Sequence, residues 1–72
     1  MKPGWKQMPS GRWVTTRLTK HGHASLHAWE SGRWEVARDG RVIASGSVWT
    51  NDVRDAMDRA ENWTANLITS EE

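Results

Sequence analysis

From Val53 to Ile68 the apolar side chains gather on one stripe. At 100° per residue, Val53, Ala56, Met57, Ala60, Trp63, Thr64, Leu67 and Ile68 fall within an arc of about 140°. Arg54, Asp55, Asp58, Glu61, Asn62 and Asn66 lie outside it. A helix of this kind must bury its stripe against another element. The surface expected to receive it is an antiparallel sheet formed by the residues upstream. Thr50 or Asn51 is expected to cap the helix, and Asp52 and Asp55 sit where the helix dipole favours acids. Ala56 and Ala60, at the centre of the stripe, let the helix lie close to that sheet.

The sheet is legible upstream. Residues 12–19 (R-W-V-T-T-R-L-T) are rich in β-branched and aromatic side chains and predict a strand. Val14, Thr16 and Leu18 share one face, expected to meet the core, with Trp13, Thr15 and Arg17 outward. Lys20-His21-Gly22-His23 is the expected turn. A second strand follows over 24–29, with Ala24, Leu26 and Ala28 alternating against Ser25, His27 and Trp29. Glu30-Ser31-Gly32 suits a three-residue loop closed by a glycine bulge. That register sets Ala28 opposite Trp34 and Leu26 opposite Val36, whereas a two-residue loop would turn Leu26 to the wrong face. The third strand spans 33–38. Asp39-Gly40 predicts a type I′ hairpin turn into a fourth strand over 41–48, pairing Ile43 with Val36. Gly46 marks a bulge or a close approach by the helix.

The expected fold is therefore α+β: a four-stranded antiparallel meander followed by one C-terminal amphipathic helix on one sheet face. Residues 1–11 hold Pro3, Gly4, Pro9, Ser10 and Gly11 and are expected to form a flexible arm, with Trp5 as its one anchor. Residues 12–69 form the single domain, and 70–72 place two acids at the negative end of the dipole, where the tail should fray.

A core of 72 residues is marginal, and chains of this size usually need a staple. Cysteine is absent, which excludes disulfides and thiolate metal sites. Six tryptophans compensate, each able to bury roughly 150–250 Å². The N-terminus lacks the apolar run of a signal peptide, and no run approaches the roughly 20 residues of a membrane span. With no cysteine as well, a cytoplasmic site is expected. Asn62-Trp63-Thr64 matches a glycosylation sequon, but inside an expected helix it is read as chance.

Catalytic signals are lacking. The chain has no nucleophile motif, no phosphate-cradling glycine loop and no paired carboxylates beyond the helix surface, so it is read as non-enzymatic and without a cofactor. His21, His23 and His27 form H-x-H-x3-H, but His27 would stand roughly 13 Å further along a strand, and no acid or cysteine completes a metal site. They are read as polar residues of a turn and a solvated face.

Charge is unevenly spread. Residues 1–41 carry eight Lys and Arg against three acids, net +5; residues 42–72 carry two against six, net −4. The uncovered sheet face is thus expected to be the binding surface, lined by Trp13, Arg17, His27, Trp29 and Arg33, with Thr15 and Glu35 beside them. Tryptophan and arginine on a flat face suit a protein interface. They also suit base stacking and phosphate contact. A third reading is that Trp13 and Trp29 fold against each other and against arginine stems and merely shield the sheet. The acidic helix face is read as solvated surface, or as a surface that binds the basic face of a second copy.

Over residues 33–60 the chain carries W-x-V (Trp34 to Val36), D-G-x-V-x-A-x-G (Asp39 to Gly46) and A-x3-A (Ala56, Ala60). In this it resembles small uncharacterised proteins of actinobacteria and their bacteriophages, which implies such an origin more than an activity. It is more weakly similar to the sheet-and-helix DNA-binding domains of plant transcription factors and phage integrase arms. Those read DNA with sheet arginines and tryptophans, where the fourth strand here offers Val42, Ala44 and Val48.

These observations together give a small binding module: a phage accessory protein acting on a host or phage protein through the open sheet face, or one that self-associates. The alternative is a nucleic-acid-binding protein that uses the basic Trp/Arg sheet face. Neither reading involves a membrane or a small-molecule substrate.

Overall fold

The computed structural model describes residues 4–19 and 22–69, with side chains as far as Ala65. Lys20 and His21 of the expected four-residue turn, the expected frayed tail at 70–72 and the side chains of Leu67 and Ile68 lie outside the described residues; Gly22 and His23, also expected in that turn, are strand instead, pairing with Thr19 and Leu18. Five strands, β1 (Lys6–Gln7), β2 (Trp13–Thr19), β3 (Gly22–Ala28), β4 (Arg33–Arg38) and β5 (Arg41–Ser47), form one antiparallel sheet in chain order. One helix, α1 (Val53–Thr69), packs on one face. The fold is the expected α+β meander with a fifth, short strand. That strand comes from the segment read as an arm: Lys6 pairs with Val14 and Gln7 with Trp13.

Both central hairpins form as their turn residues dictate. Gly32 has φ +95° and closes the 29–32 turn, where its N–H donates to the Trp29 carbonyl at 3.0 Å. Ala28 then pairs with Trp34 and Leu26 with Val36, the register the bulged loop requires. Asp39 and Gly40 both hold positive φ, 54° and 78°, as a type I′ turn demands. One expectation fails beyond that turn. The ladder shifts between Val36 and Ala37, so Ala44, not Ile43, stands opposite Val36. The extra residue is a bulge in β5. Gly46 stands opposite Trp34, and it is this indole, not the helix, that comes close: a Cβ on Gly46 would meet it at 3.0 Å.

The helix start also differs from expectation. Asp52 is the cap: its carboxylate accepts the Arg54 N–H at 2.9 Å and its carbonyl accepts the Ala56 N–H at 3.1 Å. Asn51 takes the left-handed turn into the helix, with φ 56°, and Thr50 donates to Asp55 at 2.6 Å.

The core lies between α1 and the sheet. Ala24, Leu26, Ala28 and Val36 face Ala56, Met57 and Ala60, all fully buried. Small side chains on both layers allow close contact, and Leu26 and Met57 fill the centre. Trp13, Trp34, Trp63, Ile43, Ala44 and Val53 pack around this nucleus. Each large side chain buried here contributes roughly 1.5–3 kcal/mol. Trp5 belongs to the same core, only 7% exposed, and is placed there by the pairing of β1 with β2.

Candidate functional site

Pairing across the sheet decides which side chains meet on the face that α1 leaves uncovered. β2 pairs Thr15 with Leu26 and Arg17 with Ala24. Leu26 and Ala24 are core residues, so Thr15 and Arg17 face the helix, as Trp13 does opposite Ala28. This inverts the expected orientation of the first long strand. Trp13 and Arg17 are not on the open face. Trp13 packs against the core, and its indole N–H is buried with no hydrogen-bond partner among the described residues. Arg17 reaches across the edge of the core, donating to Thr15 Oγ1 at 2.8 Å, the Thr16 carbonyl at 2.9 Å and Glu61 Oε2 at 2.7 Å. The Trp5 indole donates to the same Glu61 oxygen at 2.9 Å.

Val14, Thr16 and Leu18 take the places the reading gave to Trp13, Thr15 and Arg17. Two cross-strand rows result. One runs Lys6, Val14, His27, Glu35, Ser45; the next runs Thr16, Ser25, Ala37, Val42. Leu18 pairs with His23 beyond them, and Arg33 with Ser47 at the opposite end. Leu18 is 67% exposed and Val42 57%, so this face shows apolar area to solvent.

His27, Trp29 and Arg33 do come together, as expected. The His27 ring stacks on Trp29 at 6.2 Å between centroids with 24° between planes. Arg33 lies over the same indole, its Cζ 5.4 Å from the ring centroid, and bonds Glu35 at 2.6 Å. A cation over an exposed tryptophan contributes about 0.5–1 kcal/mol. The exposed Arg33–Glu35 pair adds little stability but fixes where the guanidinium sits. Trp29 is therefore a half-buried ring with its position set by His27 and Arg33; Trp13, on the opposite face, does not fold against it, so of the expected shielding only the arginine contact forms.

Burial lowers the His27 pKa below its ordinary value of 6.5; the nearby Arg12 cation lowers it further, and Glu35 opposes both. Arg12 and Lys6 are basic residues of this neighbourhood that the sequence reading did not place. The signal that finds them is parity. Any even-length turn between the first two long strands pairs Ala24 and Leu26 with odd-numbered residues, which sends the even-numbered ones outward.

Among the described residues, no group of three His, Cys, Asp or Glu could hold a metal. His23 and His27 share a face but stand four residues apart on β3, roughly 13 Å at strand rise. His21 lies outside the described residues. Three open grooves of about 220, 240 and 320 Å³ lie along the helix, not on the sheet face. No helix among the described residues is long and apolar enough to cross a membrane.

What the fold and this face define is a small α+β domain: an antiparallel sheet packed by a helix on one side and open on the other. Compared with protein-family models, with curated proteins and with solved structures, the chain matches none.

Proposed function

We propose that this chain is a non-enzymatic binding module that engages a protein partner through its uncovered sheet face, in the cytoplasm. The observation that carries the reading is the composition of that face. Exposed Leu18 and Val42 share it with the Trp29–Arg33 pair. Aromatic and arginine anchors beside apolar area are what protein interfaces concentrate. The resemblance over residues 33–60 adds a phage accessory role to the proposal.

A second reading is kept because Lys6, His23 and Arg33 are exposed on the same face, with Arg12 near His27. That reading is nucleic-acid binding by phosphate contact. Cross-linking the tagged protein in a host lysate and comparing wild type with a Trp29→Ala, Arg33→Ala double variant tests the first reading. An unchanged set of captured proteins would sink it. Titration with mixed-sequence DNA at two salt concentrations tests the second, and salt-sensitive tryptophan quenching would establish it in place of the first.

A further inference from the structure

Trp49 is 90% exposed, at the corner where β5 hands over to α1. A side chain of this size left in water is unusual in a domain whose other described tryptophans all pack. It stands at the rim of a groove of about 220 Å³ shared with Val48, Thr50, Asp55, Asp58 and Arg59. Two carboxylates against one guanidinium leave this corner negative. The uncovered sheet face, on the other side of the domain, has the opposite sign, with Lys6 and Arg33, and Arg12 close to His27, against Glu35.

The sheet face also has a place for an indole. Thr16, Ser25 and Ala37 form a row of small side chains across β2, β3 and β4, bounded at the β5 end by Val42. Bulkier rows flank it: Leu18 and His23 on one side, Val14, His27 and Glu35 on the other. The result is a trough across the face. Lys6 lies one row away, about 7 Å at strand rise, and Arg33 two rows away, about 13 Å. An indole laid in the trough would bring carboxylates beside it within reach of these cations.

We infer that the Trp49 corner is a docking surface for a second copy of this chain, whose sheet trough receives the indole while its Lys6 and Arg33 meet Asp55 and Asp58. The inference rests on the reading that the sheet face binds protein, and it names the partner. The contact is heterologous: the corner of one copy meets the face of the next, and both surfaces of every copy remain usable at once. Such contacts propagate into rings or filaments instead of stopping at a dimer. A contact this small is weak and salt-dependent.

Sedimentation of three proteins tests it. The wild-type chain is 8.2 kDa. At about 1 mM and low ionic strength its weight-average mass should reach about twice that value or more, and should fall back at about 0.5 M salt. Trp49→Ala removes the anchor, and Lys6→Glu with Arg33→Glu inverts the receiving face. All three positions are exposed, so circular dichroism should match wild type. Each variant alone should stay monomeric. Mixed in equal amounts, they should form a 1:1 dimer that grows no further, because the intact face of one meets the intact corner of the other. A monomeric mixture, or a Trp49→Ala chain that associates like wild type, overturns the inference. A wild type that stays monomeric overturns it too, while the sheet-face reading is decided separately, by whether the Arg33 variant loses its captured proteins.

Discussion

The Trp5 indole donates to the Glu61 carboxylate at 2.9 Å, joining residues 56 positions apart in the chain. Arg17 donates to the same oxygen at 2.7 Å, so the segment leading into the edge strand, the first long strand and the helix converge on one carboxylate. A domain of 72 residues has roughly 4–11 kcal/mol of stability in all. Removing a buried tryptophan costs about 3–5 kcal/mol. Trp5→Ala should therefore remove about a third or more of the total stability and lower the urea midpoint sharply. Trp5→Phe should keep most of the packing and lose the indole hydrogen bond, at about 1–2 kcal/mol. Urea midpoints followed by circular dichroism check both, and a Trp5→Ala midpoint equal to that of wild type would contradict the burial.

Arg17 and Glu61 are 36% and 23% exposed, so their attraction is screened by water. A double-mutant cycle with Arg17→Met and Glu61→Gln should give a coupling of about 1 kcal/mol or less, shrinking as salt is added. Coupling that ignores salt would mean that packing of the arginine stem, not charge, holds the contact.

Two glycines should respond differently to alanine. At Gly32 the backbone has φ +95°, and a Cβ would stand 2.8 Å from the Val48 carbonyl oxygen and 3.0 Å from Asn51 Cα. Both are backbone atoms that cannot move aside, so Gly32→Ala should cost about 1–3 kcal/mol. It should also loosen the helix entry, since the Val48 N–H donates to the Gly32 carbonyl. At Gly46 the obstacle is the Trp34 indole, a side chain at the edge of the core that can shift. Gly46→Ala should cost less, about 1 kcal/mol, and move the Trp34 emission. Thermal melts of the two variants side by side decide the order.

His27 gives stability a pH dependence of known sign. Its folded pKa lies below the ordinary 6.5, so the unfolded chain holds the proton better. Stability from this group is complete above 6.5, declines as pH falls through that value, and levels off once pH is below the folded pKa. His27→Gln should flatten this part of the profile. In an NMR titration the His27 midpoint should fall below 6.5, rise in Arg12→Gln and fall further in Glu35→Gln. A wild-type midpoint above 6.5 would reverse the assignment.

The hairpins and the helix were legible because local chemistry decides them. Asp39-Gly40 and Gly32 are needed for positive φ, and the stripe from Val53 onward admits one orientation. The first long strand was not legible in the same way. Both its faces mix apolar and polar residues, and choosing the aliphatic set Val14 and Leu18 over Trp13 turned the strand over. What settles it is non-local: pairing with Ala24 and Leu26, and the carboxylate of Glu61. The same gap hid β1, since a two-residue strand has no period, and Pro3, Gly4 and Pro9 around Trp5 resemble a linker. For the candidate site, His27, Trp29 and Arg33 were found and Trp13 and Arg17 misplaced, all through that one strand.

The meeting of Trp5 with Glu61 also sets an order on synthesis. Trp5 leaves the ribosome 56 residues before Glu61 does. Until the helix emerges, the indole has neither its hydrogen-bond acceptor nor the floor of its pocket. The nascent meander must wait with its core side unroofed, which is when aggregation competes with folding. For this chain, the interval between completing β5 and releasing α1 is the hazardous stage of its life.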